Sequence, residues 1–260
     1  MNLDEGELSR RGALAVAALL STGVFVSVGG LLVPADAAAP DRNKKPARHP
    51  REHAKQEGEG EKEVSATEDL MREHGVLRRV LVVYAESAKV LRSQPTRIDP
   101  ASLADAARLF RSFGENYHEK ILEEQYVFPE VRQGGGDVAG LVGVLLTQHQ
   151  RGREITNYIE QVGNAGRIGN GRADRLADVM ESMVRMYNAH ATWEDTVVFQ
   201  AWKTQQSESR LKELSERFED IERRQFGKDG FDDALQRISR IEQALGMHDL
   251  DRYTAQSPPG

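Results

Sequence analysis

No cysteine occurs among the 260 residues. Disulfides, thiolate zinc sites, iron–sulfur clusters, a cysteine nucleophile and a lipoprotein anchor are excluded with it. Any bound metal must therefore be held by histidine and carboxylate side chains. Aromatic residues are scarce, at 6%, and β-branched runs are rare after residue 64, which argues against a sheet protein. There is no basic excess: 35 Lys and Arg stand against 41 Asp and Glu, a net charge of −6. The electrostatic footprint of a nucleic-acid binder is missing. No Ser/His/Asp arrangement and no phosphate-cradling glycine loop stands in a suitable context. The composition that remains is that of a soluble, helical chain.

Residues 1–39 carry the pattern of an export signal. The polar start leads to Ser9-Arg10-Arg11-Gly12-Ala13-Leu14, then an apolar run to Val33, then Pro34-Ala35-Asp36-Ala37-Ala38-Ala39. A charged start, an apolar middle and small residues before the cut are the parts of a secretory signal. The paired arginines resemble the twin-arginine class, with Ala13 standing where that pattern favours Phe. Cleavage is expected after Ala37 or Ala39, which would leave the chain exported to the periplasm or beyond. An uncleaved segment would instead anchor it to a membrane, because about 20 apolar residues span a bilayer. Residues 40–64 mix Pro, Gly, Lys, Arg and Glu with almost nothing apolar; they read as a disordered linker, with His49 and His53 solvated.

From residue 65 to 247 the apolar periodicity is helical. Leu70, His74, Leu77, Leu81, Tyr84, Ala88 and Leu91 recur every three or four residues on a first helix, which Pro95 ends. A second helix is expected from Pro100 to Phe128, stopped by Pro129 and Gly134-Gly135-Gly136. Asp137 is placed to cap a third, whose stripe is Leu141, Leu145, His149, Gly152, Ile155 and Ile159. A fourth carries Leu176, Met180, Met183, Tyr187, His190, Glu194, Val197 and Ala201. A fifth, from Ser207 to Leu245, has a break at Gly227-Lys228-Asp229-Gly230. Short loops between four helices of similar length imply an all-α, up-down-up-down four-helix bundle over residues 65–204. Residues 205–260 form an additional C-terminal helix and tail.

Polar residues interrupt the apolar stripes. Helices one, three and four each place a histidine at a core position, and Glu194 shares the stripe of His190. A buried polar group without a partner costs about 1–3 kcal/mol, and a buried carboxylate costs more unless neutralised. A cation satisfies all of these groups at once.

The second helix supplies the matching half. Tyr117-His118-Glu119-Lys120-Ile121-Leu122-Glu123-Glu124-Gln125-Tyr126-Val127-Phe128 parallels Ala189-His190-Ala191-Thr192-Trp193-Glu194-Asp195-Thr196-Val197-Val198-Phe199. Glu73-His74-Gly75-Val76-Leu77-Arg78 likewise parallels Gln148-His149-Gln150-Arg151-Gly152-Arg153. The chain thus contains a weak two-helix repeat, which would set two metals about a pseudo-twofold axis. The repeat has one defect. Glu194 is four residues from His190, but Glu123 is five from His118, and a regular helix separates those two by about 140°. A π-bulge would bring them together. Alternatively Glu119 and Glu123 both face inward. Glu123 is favoured, and Glu119 stays open.

These four stretches, in order on successive helices, resemble the haemerythrin-like (HHE cation-binding) family over residues 65–204. The resemblance implies a non-haem di-iron centre with terminal ligands His74, His118, His149 and His190 and bridging Glu123 and Glu194. It departs at Arg153, where oxygen-carrying members place a second histidine on the third helix. One nitrogen fewer argues against reversible O₂ storage and for reaction with, or sensing of, peroxide, NO or O₂. Imidazole and carboxylate without thiolate suit two Fe ions, or Mn or a mixed pair. Arg153, Tyr84 and Tyr187 are candidate outer hydrogen-bond donors. Two further readings stand beside this one: a di-iron peroxidase or ferroxidase, and a metal-free structural bundle. Trp193, Met180, Met183 and Met186 read as packing residues.

Overall fold

A computed structural model describes residues 64–259. The expected signal and most of the linker, with His49 and His53, lie outside these residues. Among the described residues there is no strand, and no helix is long and apolar enough to cross a membrane.

Helix α1 spans Ala66–Ser93. Its first turn is capped by Ser65, whose hydroxyl accepts the Glu68 N–H. Helix α2 is a rod of three joined segments: Pro100–Leu109, a π-helical Phe110–Val127 and Phe128–Gly134. Asp99 caps it through the N–H groups of Ala101 and Ser102. Helix α3 spans Gly136–Asn164. Helix α4 joins Asn170–Trp193, a π-helical Glu194–Val198 and Phe199–Thr204. In the bundle, α1 packs along α4 and α2 along α3.

Three local expectations are corrected. Pro129 does not stop α2, which runs to Gly134. In a regular helix the proline ring collides with the carbonyl four residues back. Here the turn before it is wide, with the Phe128 N–H bonded to the Glu123 carbonyl, and the ring is accommodated. Asp137 is not the cap of α3: that place belongs to Gly135, whose φ of 74° suits glycine alone, and Asp137 sits in the first turn. The stripe of α4 also shifts after Glu194, burying Val198, Phe199 and Trp202 in place of Val197 and Ala201, because one π-turn advances the register by a residue.

The C-terminal extension is two helices, α5 (Glu208–Phe226) and α6 (Gly230–Ala244), parted at the expected break. Gly227, at φ 69°, ends α5, and the Asp229 carboxylate caps α6 by accepting the Asp232 N–H. Both pack on the outer side of α1 and α2. Phe226 reaches the rings of Phe113 and Tyr117, and Arg72 lies over the Phe231 ring, 4.4 Å from its centre.

Candidate metal centre

The four histidines at core positions meet as two pairs. His74 Nε2 lies 3.0 Å from His118 Nε2, and His149 Nε2 lies 3.2 Å from His190 Nε2. Both pairs tilt their rings by 56°. Between them sit Glu123 and Glu194. Glu123 reaches His118 Nε2 at 3.2 Å through one oxygen and His149 Nε2 at 3.3 Å through the other. Glu194 Oε2 is 2.9 Å from His190 Nε2 and 3.5 Å from His74 Nε2. All six side chains are buried, and each carboxylate spans both histidine pairs.

The backbone explains why Glu123 is present. The π-helical turns of α2 turn less per residue than an α-helix, so His118 and Glu123, five apart, share one face. The carbonyls of Glu123 and Glu194 each accept the N–H of a phenylalanine five residues on, Phe128 and Phe199. Those two rings then stack on the histidines of the neighbouring helices: Phe128 on His149 and Phe199 on His74, with centres 5.5 Å apart in both cases.

Each imidazole is oriented from behind. The Nδ1 atom of His74 is 2.7 Å from Asp195, that of His118 is 2.5 Å from Glu73, that of His149 is 2.9 Å from Glu124, and that of His190 is 2.9 Å from the Gln148 side-chain oxygen. An acceptor at Nδ1 fixes the proton there and turns the Nε2 lone pair inward. Arg78 holds Asp195, and Arg153 donates to Glu124 at 2.6 Å. The two halves of the site therefore correspond group for group, and Arg153 is the counterpart of Arg78.

The electrostatics record how many charges are confined here. Burial opposes protonation of His118 and His149, but Glu123 with Glu73, and Glu119 with Glu123, outweigh it. His118 is held well above the ordinary imidazole range and His149 at about 10. Burial and the neighbouring His149 push His190 down to about 4. Burial and the charge of Glu123 push Glu194 well above the carboxylate range. Burial works against ionising Glu123, yet His118 and His149 hold it well below that range. Even so, none of the four carboxylate oxygens of Glu123 and Glu194 has a hydrogen-bond partner. Two fully buried carboxylates facing four imidazole nitrogens, with no hydrogen-bond donor assigned to any oxygen, make a donor set that could hold metal cations. Glu123, His149, His190 and Glu194 form one cluster of ligand atoms, and His74, His118 and Glu123 another.

The remaining sequence candidates divide. Glu119 is buried, but its oxygens are engaged elsewhere: Tyr187 O–H donates to one at 2.7 Å and Arg153 to the other at 3.2 Å. It approaches His149 only on the Nδ1 side, at 3.9 Å. Tyr187 packs on His190, with ring centres 5.2 Å apart. Tyr84 is fully buried but stands apart from the histidines, near Glu115, Arg111 and Glu160. Trp193 is not a packing residue; it is 53% exposed. Sequence reasoning missed Glu73, Glu124, Gln148 and Asp195 as partners of the histidines. Their signal was in the repeat: each directly precedes His74 or His149, or directly follows Glu123 or Glu194.

Beside His74, His118 and His190 a small cavity of about 10 Å³ is walled by Leu77, Leu81 and Ala191, with Glu119 and Tyr187 at its edge. That is room for about one water molecule.

Residues 65–200 match the family model described as "Hemerythrin HHE cation binding domain". The chain is also 42% identical, over 197 residues, to an uncharacterized protein of Mycobacterium bovis and to one of Mycobacterium tuberculosis, covering 75% of this chain and 76% of each relative. No solved structure matches it significantly.

Proposed function

Because the chain belongs to the hemerythrin HHE cation-binding family, we propose that it is a non-haem di-iron protein that reacts with a small oxygen or nitrogen species, O₂, peroxide or NO. The observation that carries the reading is the set of four buried carboxylate oxygens on Glu123 and Glu194, without donors and between four inward Nε2 atoms. His74 with His118 would hold one ion and His149 with His190 the other, with the two glutamates shared. When bound, such a pair supplies reversible electron transfer to a small ligand.

What the chain itself contributes is selection and orientation. The cavity beside the histidines has largely apolar walls and space for about one water-sized molecule, so only the smallest ligands fit without displacement of side chains. Larger substrates are excluded by Leu77 and Leu81. At the edge of the cavity, the Tyr187 hydroxyl is held by Glu119, which is in turn tied to Arg153. Its proton is committed to Glu119, so the hydroxyl oxygen is left to accept a hydrogen bond from a species that carries a proton of its own, as peroxide does and O₂ and NO do not. This favours a second, stronger form of the reading, in which peroxide is consumed rather than a ligand stored.

Metal analysis after anaerobic iron loading, followed by stopped-flow mixing with O₂, peroxide or NO, tests both forms. About two irons per chain are expected, with a stable coloured adduct for a binder and repeated turnover for an enzyme. Fewer than one iron per chain would refute the di-iron reading.

A further inference from the structure

The two halves of the site match in position but not in charge. Glu73 precedes His74 and faces Nδ1 of His118 at 2.5 Å. Gln148 precedes His149 and faces Nδ1 of His190 at 2.9 Å through its side-chain oxygen. By the repeat these two are the same place, 75 residues apart, as are His74 and His149. The first half therefore has a carboxylate behind each imidazole, Asp195 and Glu73. The second has one carboxylate, Glu124, and one amide. The arginines do not even this out, because Arg78 holds Asp195 and Arg153 holds Glu124, one in each half. Among the described residues no ion pair joins Glu73 to an arginine or lysine, and its other oxygen, Oε1, has no hydrogen-bond partner. The pair His74 and His118 is thus backed by one carboxylate that the pair His149 and His190 lacks.

Burial divides the halves in the same way. Glu73 is 1% exposed. Gln148 is partly exposed and lines an apolar groove of about 180 Å³ together with Leu145, Trp193 and His190 itself. An acceptor at Nδ1 orients an imidazole whether or not it is charged. Only a charged one also makes Nε2 a stronger donor to a cation, and it adds its own attraction for that cation.

We propose, on the di-iron reading above, that the two metal positions are unequal: the position at His74 and His118 holds its ion the more tightly, and the position at His149 and His190 is the exchangeable one, because Gln148 stands where the first half has Glu73. One observation ranks the halves the other way. Glu194 Oε2 is nearer His190, at 2.9 Å, than His74, at 3.5 Å. A glutamate side chain takes up that difference by its own rotations, whereas an amide cannot acquire a charge. The charge therefore decides the order.

Anaerobic titration of the metal-free, full-length chain with Fe²⁺, in competition with a chelator, tests the proposal. The wild type is expected to bind in two steps whose affinities differ by about 10- to 100-fold. Repulsion between two ions would also separate the steps, but it would not respond to position 148. Gln148→Glu is expected to tighten the weaker step, and Glu73→Gln, of nearly the same shape, to weaken the tighter one, so each narrows the gap. Excess chelator should remove one iron from the wild type fast and one slowly, and Gln148→Glu should slow the fast phase alone. Two equal steps in the wild type overturn the proposal and leave the di-iron reading standing. So does a Gln148→Glu chain whose weaker step and fast phase are unchanged, or a Glu73→Gln chain that loses affinity only in the weaker step. A chain that binds no iron overturns both.

Discussion

His118 and Glu123 stand five residues apart and still share one face of α2, with Nε2 of the first 3.2 Å from Oε1 of the second. His190 and Glu194 achieve the same relation across four residues, at 2.9 Å. The extra residue in α2 is absorbed by π-helical turns, which are frequent at functional sites. The two carboxylates are thereby brought level although the helices that carry them differ in register.

The two glutamates are not equivalent before metal binds. Burial opposes ionisation of Glu123 but His118 and His149 hold its pKa well below the carboxylate range, whereas burial and the charge of Glu123 push that of Glu194 well above it. Glu194→Gln is therefore expected to leave the melting temperature of the metal-stripped chain nearly unchanged. Glu123→Gln removes the negative charge that faces His118 and His149 and is expected to cost about 3 kcal/mol. Both variants should lose at least half of the bound iron. Paired thermal melts and metal assays check this, and equal melting of the two stripped variants would contradict the inequivalence.

Much of this was legible in the sequence because the signal was periodic. Histidines at leucine positions can be counted, and the repeat aligned His118 with His190. The face shared by His118 and Glu123 was visible only as a conflict, five residues where four were wanted, and the conflict pointed to the π-helix. The repeat aligns Asp195 with Glu124 but does not show which histidine each one holds. That depends on which side of each imidazole a neighbouring helix presents, a property of packing between segments more than a hundred residues apart for His74 and Asp195. Pro129 misled because the rule against proline inside a helix assumes the α register.

Arg153 is defined by its counterpart. Arg78 holds Asp195 against His74 as Arg153 holds Glu124 against His149. Groups that orient a metal-binding histidine are typically worth 10- to 100-fold in affinity. Arg78→Ala and Arg153→Ala are each expected to weaken iron binding by about tenfold in competition with a chelator. Arg153→Ala should also release Glu119 and so perturb the reaction with peroxide, which Arg78→Ala should not. Identical peroxide kinetics in the two variants would break this distinction.

Gly152 is where α3 admits the Tyr187 hydroxyl, which a Cβ would meet at 2.0 Å. Gly152→Ala is expected to destabilise the bundle by about 1–3 kcal/mol through overpacking. Removing the hydroxyl with Tyr187→Phe takes away the nearest contact and leaves the ring carbons at 2.8 Å, so the double variant should recover part of the stability lost in Gly152→Ala. A double-mutant cycle by chemical denaturation measures the coupling. Additive losses would mean that the clash lies elsewhere.

Glu222 gives the fold a pH dependence remote from the metal centre. Burial, chiefly, raises its pKa from 4.5 to about 7, against the Phe231 N–H, which donates to it at 2.7 Å and favours ionisation. A carboxyl whose pKa is higher folded than unfolded binds more protons in the native state, so its contribution is full below pH 4.5 and is lost as the pH rises through 7. Glutamine at this position can still accept the Phe231 N–H but does not ionise. Relative to Glu222→Gln, the wild type is thus expected to lose melting temperature steadily between pH 4.5 and 7, and the loss should be seen first as faster amide exchange in α5 and α6. Parallel melting curves across that window would show that Glu222 titrates as an ordinary surface carboxylate and that the contact between α5 and α6 does not bury it.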